Sequence, residues 1–175
     1  MLVLPDFTQP FKLACDASLV ATGAELSQGG RPVAFHSKKL SPPKTRYHVG
    51  DRELLAILQA CMKWRSYLHG NRCKVYTDHE PLIYVHTKTH LNARQARWLE
   101  RMADLDLEIL YRAGEKNVVA DVLSRYGFGG VFETTASAWF SLGDSSVECI
   151  VYEWMSVVAK HLDLDACITA AVEAL

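Results

Sequence analysis

No two cysteines in this 175-residue chain stand in a C-x-x-C spacing, and the five present (Cys15, Cys61, Cys73, Cys149 and Cys167) are an odd number. A zinc ribbon is excluded and a disulfide frame disfavoured, so these residues are read as reduced, mostly buried thiols of an intracellular protein. No apolar run approaches the roughly 20 residues that cross a bilayer, and the N-terminus has no signal-peptide pattern, so no membrane partner is expected. The Y-x-D-D motif of a polymerase palm is missing, as are internal repeats and low-complexity segments. Positive charge is scarce at one end only. Residues 127–175 carry 1 Lys or Arg against 7 Asp and Glu, whereas residues 1–126 carry 18 against 13. A mildly basic body with an acidic tail permits a polyanionic partner without requiring one. The remainder, 49 % hydrophobic and 22 % charged, is ordinary for a globular protein. Its length gives room for one well-cored domain plus an appendage.

Along the chain, "PFKLACDAS" alternates as a strand does, with Phe11, Leu13 and Cys15 on one side and Lys12, Ala14 and Asp16 on the other. "TGAELSQGGRPVAFHSKKL" reads as two strands around a Gly29-Gly30 turn, with Pro32 tolerated at the start of the second. "SPPKTRYHVG" reads as a loop. From Asp51 to His69 the period becomes helical through Leu54, Ile57, Leu58, Cys61 and Leu68, with Trp64 and Tyr67 widening the apolar face until Gly70-Asn71 stops it. "CKVYTD" is a short strand. "NARQARWLERMADL" is a helix with Ala93, Ala96, Trp98, Leu99 and Met102 available for packing, and "LDLEILYRAG" is a strand. Asn117 is expected to cap a last short helix in "EKNVVADVLSR". Three strands joined by short turns form an antiparallel meander, and the later strands, reached through helical crossovers, are parallel to their neighbours. The expectation is an α/β fold: a mixed five-stranded sheet flanked by helices over residues 1–126. A linker over 127–145, opened by "GFGG", and an amphipathic helical hairpin over 146–175 would follow.

Four acids fall at the ends of elements. Asp16 ends the first strand and Asp78 the fourth, so parallel pairing would bring both to the carboxyl edge of the sheet, where open α/β sheets bind ligands. Glu53 lies in the first turn of the long helix, and Asp121 begins the last helix. Each also has an ordinary reading, as a strand-end charge or a carboxylate favoured near a helix N-terminus. As a set, converging acids without matched bases repel one another unless a cation sits among them. Hard oxygen ligands suit Mg²⁺ or Mn²⁺. Two such ions about 4 Å apart can activate a water and stabilise the leaving oxygen of a phosphodiester.

The blocks "LPDFTQPFKLACDAS", "GAELSQ", "RPVAFHSKKLSPPKTRYHVGDRELLAILQACMKWRSYLHG", "KVYTDHEPL" and "EKNVVADVLSR" occur in that order. Together they resemble the ribonuclease H domain of gypsy-type long-terminal-repeat retrotransposon Pol polyproteins, over residues 2–126. The resemblance implies a ribonuclease H-like fold and an endonuclease that hydrolyses the RNA strand of RNA/DNA hybrids. It implies that Asp16, Glu53, Asp78 and Asp121 are both catalytic and metal-binding, holding two Mg²⁺ ions, with Mn²⁺ as an alternative. Asp16 would bridge the ions, Glu53 would lie near the 2′-hydroxyl beside the scissile phosphate, and Asp78 and Asp121 would each complete one ion site. The implied partners are an RNA/DNA hybrid and the polymerase and integrase portions of a parent polyprotein. The implied location is intracellular, in a cytoplasmic particle or the nucleus. A second reading is a non-catalytic tether that grips hybrid; retention of all four acids disfavours it.

Departures from the family pattern are Glu25, where an aliphatic residue is usual, and Val122 after Asp121. Asp51, two residues before Glu53, competes with it for the ligand assignment, and His79 can either support the neighbouring Asp78 or serve a structural role. For substrate contact, Lys88 and the helically spaced Arg94, Arg97 and Arg101 form a candidate phosphate-facing stripe, with a solvated helix face as the alternative. Lys38 and Lys39 are a weaker pair. Trp64, Tyr67 and Trp98 are expected in the core.

Overall fold

The computed structural model describes residues 2–87 and 90–125, and the backbone of 131–135. Strand β1 (Phe11–Ala17) lies at the centre of the sheet, antiparallel to β2 (Ala21–Gln28) and parallel to β4 (Cys73–Thr77). Strand β3 (Arg31–Lys39) pairs antiparallel with β2, and β5 (Leu107–Tyr111) pairs parallel with β4. These are the five expected strands in the expected mixed arrangement. A sixth, β6 (Val131–Thr135), adds antiparallel to β3, so the order is β5-β4-β1-β2-β3-β6. It falls inside the span expected to be a linker. The rest of 127–145, the expected hairpin at 146–175 and Lys88 lie outside the described residues.

The β2–β3 turn forms because Gly29 and Gly30 take φ of +57° and +81°, as a two-residue hairpin with the right twist requires. Pro32 sits at the start of β3 beside a register shift at Leu26/Ser27, where a missing N–H disrupts no regular ladder. The segment expected to be a loop contains a single helical turn, α1 (Pro42–Thr45). Prolines at its first positions fit because those N–H groups have no intrahelical acceptor. The long helix divides into α2 (Val49–Lys63) and a short α3 (Arg65–Leu68), broken at Trp64, whose φ of −104° and ψ of 26° leave the helical region. Gly70, at φ +76°, ends the segment as expected.

Helix α2 lays Leu54, Ile57, Leu58 and Cys61 on one face of the sheet over Phe11, Leu13, Cys15, Leu26 and Val75, and Trp64 and Leu68 close the same core. Burial pushes the Cys15 and Cys61 thiols well up and that of Cys73 up to about 12; all three are free and buried. Helix α4 (Ala93–Met102) differs from the expected packing. Ala93 and Ala96 are exposed, while Trp98, Leu99 and Met102 pack inward. The helix is rotated by polar anchors at its start. Asn92 and Gln95 form a reciprocal capping box, and Asp51 of α2 accepts from Asn92 Nδ2 (3.3 Å), Gln95 Nε2 (2.8 Å) and Arg94 Nη1 (3.0 Å).

The opposite sheet face carries α5 (Val118–Arg125), so β1 is covered on both sides and Ala14 and Asp16 are buried. Gly23 permits this contact: a Cβ there would lie 2.3 Å from Ala120 O and 2.5 Å from Ser124 N. The sheet also satisfies the helix's C-terminal carbonyls, through Ser37 Oγ donating to Leu123 O (2.8 Å) and Ser18 Oγ donating to Ser124 O (2.6 Å). Asn117 does not cap through its side chain. Its Nδ2 donates to Cys15 O (2.9 Å) and its buried Oδ1 has no hydrogen-bond partner, so it ties the loop before α5 to β1 instead. Glu25 lies half-buried on β2 across from Ala14; burial raises its carboxyl and Arg112 partly offsets this. Val122 is accommodated in the buried face of α5. Among the described residues no helix is long and apolar enough to cross a membrane.

Candidate active site

The parallel register sets Ala14 of β1 beside Tyr76 of β4, so Asp16 and Asp78, two residues further on, emerge side by side at the carboxyl edge of the sheet. Glu53, one turn into α2, reaches over the same edge, and its Oε1 accepts from Ala17 N at 3.1 Å. Ligand oxygens of Asp16, Glu53 and Asp78 lie within 4.8 Å of one another. Asp121 lines the same cleft, of about 550 Å³, but its Oδ1 accepts from Arg125 Nε at 2.6 Å and it stands outside the tight cluster of three. That pair is exposed and spaced i,i+4, worth about 0.3–0.5 kcal/mol, which is too little to hold Asp121 against a divalent cation.

The electrostatics match a site that needs positive charge. Glu53 is 3 % exposed, and its carboxyl is pushed up to about 9, first by burial and then by the adjacent Asp16 and Asp78. Burial raises Asp16 too, partly countered by the Ser124 hydroxyl that donates to its Oδ2, with Asp78 and Asp121 pushing further upward. Glu53 Oε2 is buried and has no hydrogen-bond partner. A buried carboxylate with an unpartnered oxygen, clustered with two more carboxylates, is strongly unfavourable unless a proton or a cation joins it. The all-oxygen donor set fits Mg²⁺ or Mn²⁺.

Asp51 is not a competitor for this role, since both of its oxygens are occupied by α4 donors. His79 lines the cleft and closes against α2, where a Cβ at Gly50 would lie 2.9 Å from its Nε2. Three contributors were not anticipated: Ser124, which steadies Asp16; Ser18, which ties the "DAS" segment to the end of α5; and Arg52, whose Nη1 donates to Ser18 O at 3.1 Å. Both serines sit inside quoted motifs, D-A-S and A-D-V-L-S-R, so two blocks distant in sequence close on each other at the site. Of the candidate substrate-contacting residues, Arg94 is committed to Asp51 and lies over the Tyr47 ring (3.7 Å to its centroid), whereas Arg97 and Arg101 are exposed on α4.

Residues 6–105 match the family described as the RNase H-like domain found in reverse transcriptase. The chain is 40 % identical over 126 residues to the retrovirus-related Pol polyprotein from transposon gypsy of Drosophila melanogaster, covering 71 % of this chain and 12 % of the relative. To the Pol polyprotein from transposon opus of the same organism it is 42 % identical over 130 residues, covering 71 % and 13 %. The chain thus spans about an eighth of the length of these relatives. Among solved structures it resembles LC11-RNase H1, isolated from compost, at a TM-score of 0.58 and 14 % identity, covering 69 % of this chain and 96 % of that one. A foamy viral protease-reverse transcriptase in complex with an RNA/DNA hybrid aligns at a TM-score of 0.53 and 19 % identity, covering 63 % and 16 %. With its mixed sheet, its acidic edge and these relatives, the chain belongs to the RNase H-like domain family of reverse transcriptases.

Proposed function

We propose that this chain is the ribonuclease H of a retroelement reverse transcriptase, hydrolysing the RNA strand of RNA/DNA hybrids with divalent cations held by Asp16, Glu53, Asp78 and Asp121. The observation that carries this reading is that Glu53, with a buried and unpartnered Oε2, shares one tight carboxylate cluster with Asp16 and Asp78 at the open edge of the sheet. Bound Mg²⁺ or Mn²⁺ supplies charge neutralisation at the phosphate and a water of lowered pKa. The chain's own residues hold the geometry. Ser124 fixes Asp16, Ala17 N fixes one oxygen of Glu53, and the weak Arg125 pair leaves Asp121 available. In the reaction the water oxygen bonds to phosphorus and loses a proton, the P–O3′ bond breaks, and O3′ takes up a proton from solvent, leaving a 3′-hydroxyl and a 5′-phosphate. Polymerase and integrase portions of a parent polyprotein are the proposed partners in cis.

The test is incubation of the chain with Mg²⁺ and, in parallel, an end-labelled RNA/DNA hybrid, duplex DNA and single-stranded RNA. Internal cuts confined to the RNA strand of the hybrid, and abolished by EDTA, are expected. Equal cutting of all three would refute strand selection, and hybrid binding with no cutting would favour the gripping module.

A further inference from the structure

A second cleft, of about 540 Å³, runs between α2, α4, the end of α1 and the carboxyl-terminal half of β3. Six cations line it (Lys38, Lys44, Lys63, Arg94, Arg97 and Arg101) and no carboxylate does. Its floor is apolar, with Tyr47 and Trp98 in ring contact at 6.1 Å. Arg94 is clamped between Asp51 and the Tyr47 ring, but Lys38, Lys44, Arg97 and Arg101 have no carboxylate partner among the described residues. Such a concentration of like charge in a cleft attracts anions and suits a polyanion.

We propose that this cleft is a track for the phosphodiester backbone of a nucleic-acid duplex that continues from the four-carboxylate site. The proposal rests on the hybrid-cleaving reading and extends it to a binding surface beyond the scissile bond. Helix α2 links the two places: Glu53 is in its first turns and Lys63 is its last residue. At 1.5 Å per residue that is about 15 Å. One nucleic-acid strand advances about 3.4 Å per base, so the far end of the cleft meets phosphates roughly four base steps from the bond that is cut.

The competing polyanion is the acid-rich stretch 127–175 of the chain itself, and charge density decides between them. Its 7 acids are spread over 49 residues, or one in 7. Over the same roughly 15 Å an extended stretch places four to five residues, so it would bring less than one charge to the cleft where a nucleic-acid strand brings about four.

The test uses the full chain and a fluorescent 20-base-pair RNA/DNA hybrid, with binding followed by anisotropy in EDTA between 50 and 200 mM salt. Arg97→Gln/Arg101→Gln, both exposed side chains, is compared with wild type and with Lys12→Gln, exposed at the amino end of β1 and outside both clefts. The double variant is expected to bind about 10- to 60-fold more weakly at 0.1 M salt. Its plot of log affinity against log salt should be shallower by about 2, while Lys12→Gln matches wild type. Unchanged affinity and slope in the double variant overturn the track; if wild type still cleaves hybrid with Mg²⁺, the proposed activity survives that result. Tighter binding by the double variant also overturns it and assigns the cleft to the acidic stretch. A wild-type chain that neither binds nor cleaves hybrid overturns both proposals.

Discussion

Glu53→Gln should make the metal-free protein more stable at neutral pH, although it removes a residue at the heart of the site. Burial, with Asp16 and Asp78 adding to it, raises the Glu53 carboxyl from an ordinary 4.5 to about 9. Between those values the folded state holds a proton that the unfolded state has released. The group therefore costs nothing below pH 4.5, and folding stability falls as pH rises from there towards 9. At pH 7 the cost is about 3 kcal/mol, taking 1.36 kcal/mol per unit over the interval from 4.5 to 7. Glutamine cannot ionise, its carbonyl still accepts from Ala17 N, and its amide can donate to the neighbouring carboxylates. In EDTA at pH 7 the variant should melt about 10 °C higher than wild type, at roughly 3 °C per kcal/mol for a domain of this size. The gap should shrink at pH 5 and widen at pH 8. Adding Mg²⁺ should raise the wild-type midpoint and narrow the gap, because the cation replaces the missing charge. Calorimetric melts across pH, with and without Mg²⁺, read all of this. A variant that melts at or below wild type in EDTA at pH 7 would refute the reasoning that these carboxylates are strained without a cation.

Two further substitutions probe what holds the site together. Gly23→Ala should destabilise by about 3 kcal/mol in urea denaturation, because its Cβ would meet backbone atoms of Ala120 and Ser124 at 2.3 and 2.5 Å and α5 must lift; hybrid cleavage should fall with it. Asp51→Ala should cost about 3 kcal/mol, because it strips Arg94, Asn92 and Gln95 of their common acceptor. Amide hydrogen exchange should then quicken in α4 and not in α5.

Much of the sheet was legible because alternation, the Gly-Gly turn and crossover lengths are local signals, and they placed Asp16 and Asp78 on one edge without any knowledge of the fold. The last strand was less accessible. "VFETT" carries only a weak strand pattern behind a glycine cluster, and its pairing with β3 is a property of the sheet edge. In α4 the apolar periodicity suggested that Ala93 and Ala96 pack inward. Alanine contributes little burial, so three hydrogen bonds to Asp51 outweighed it and set the rotation. The signal was present as N-x-x-Q at 92–95, a capping box, and as Asp51 in the first turn of α2. Asn117 misled for a related reason. Its position before a helix predicts capping, but a buried β1 carbonyl offered its amide a partner. At the site, residue types nominated the four acids, whereas Ser124 and Ser18 act across more than 100 residues of sequence and became readable only once α5 lay on the sheet.

The central claim, that the four carboxylates form one divalent-cation centre that cuts RNA in a hybrid, is tested most directly by single-turnover cleavage with Mg²⁺. The comparison is of wild type with Asp78→Asn and Asp121→Asn, each confirmed folded by circular dichroism. Both variants keep their size and lose one ligand charge, so cleavage should fall by about 10²-fold or more while hybrid binding in EDTA is retained. Wild-type rates in either variant would contradict the account.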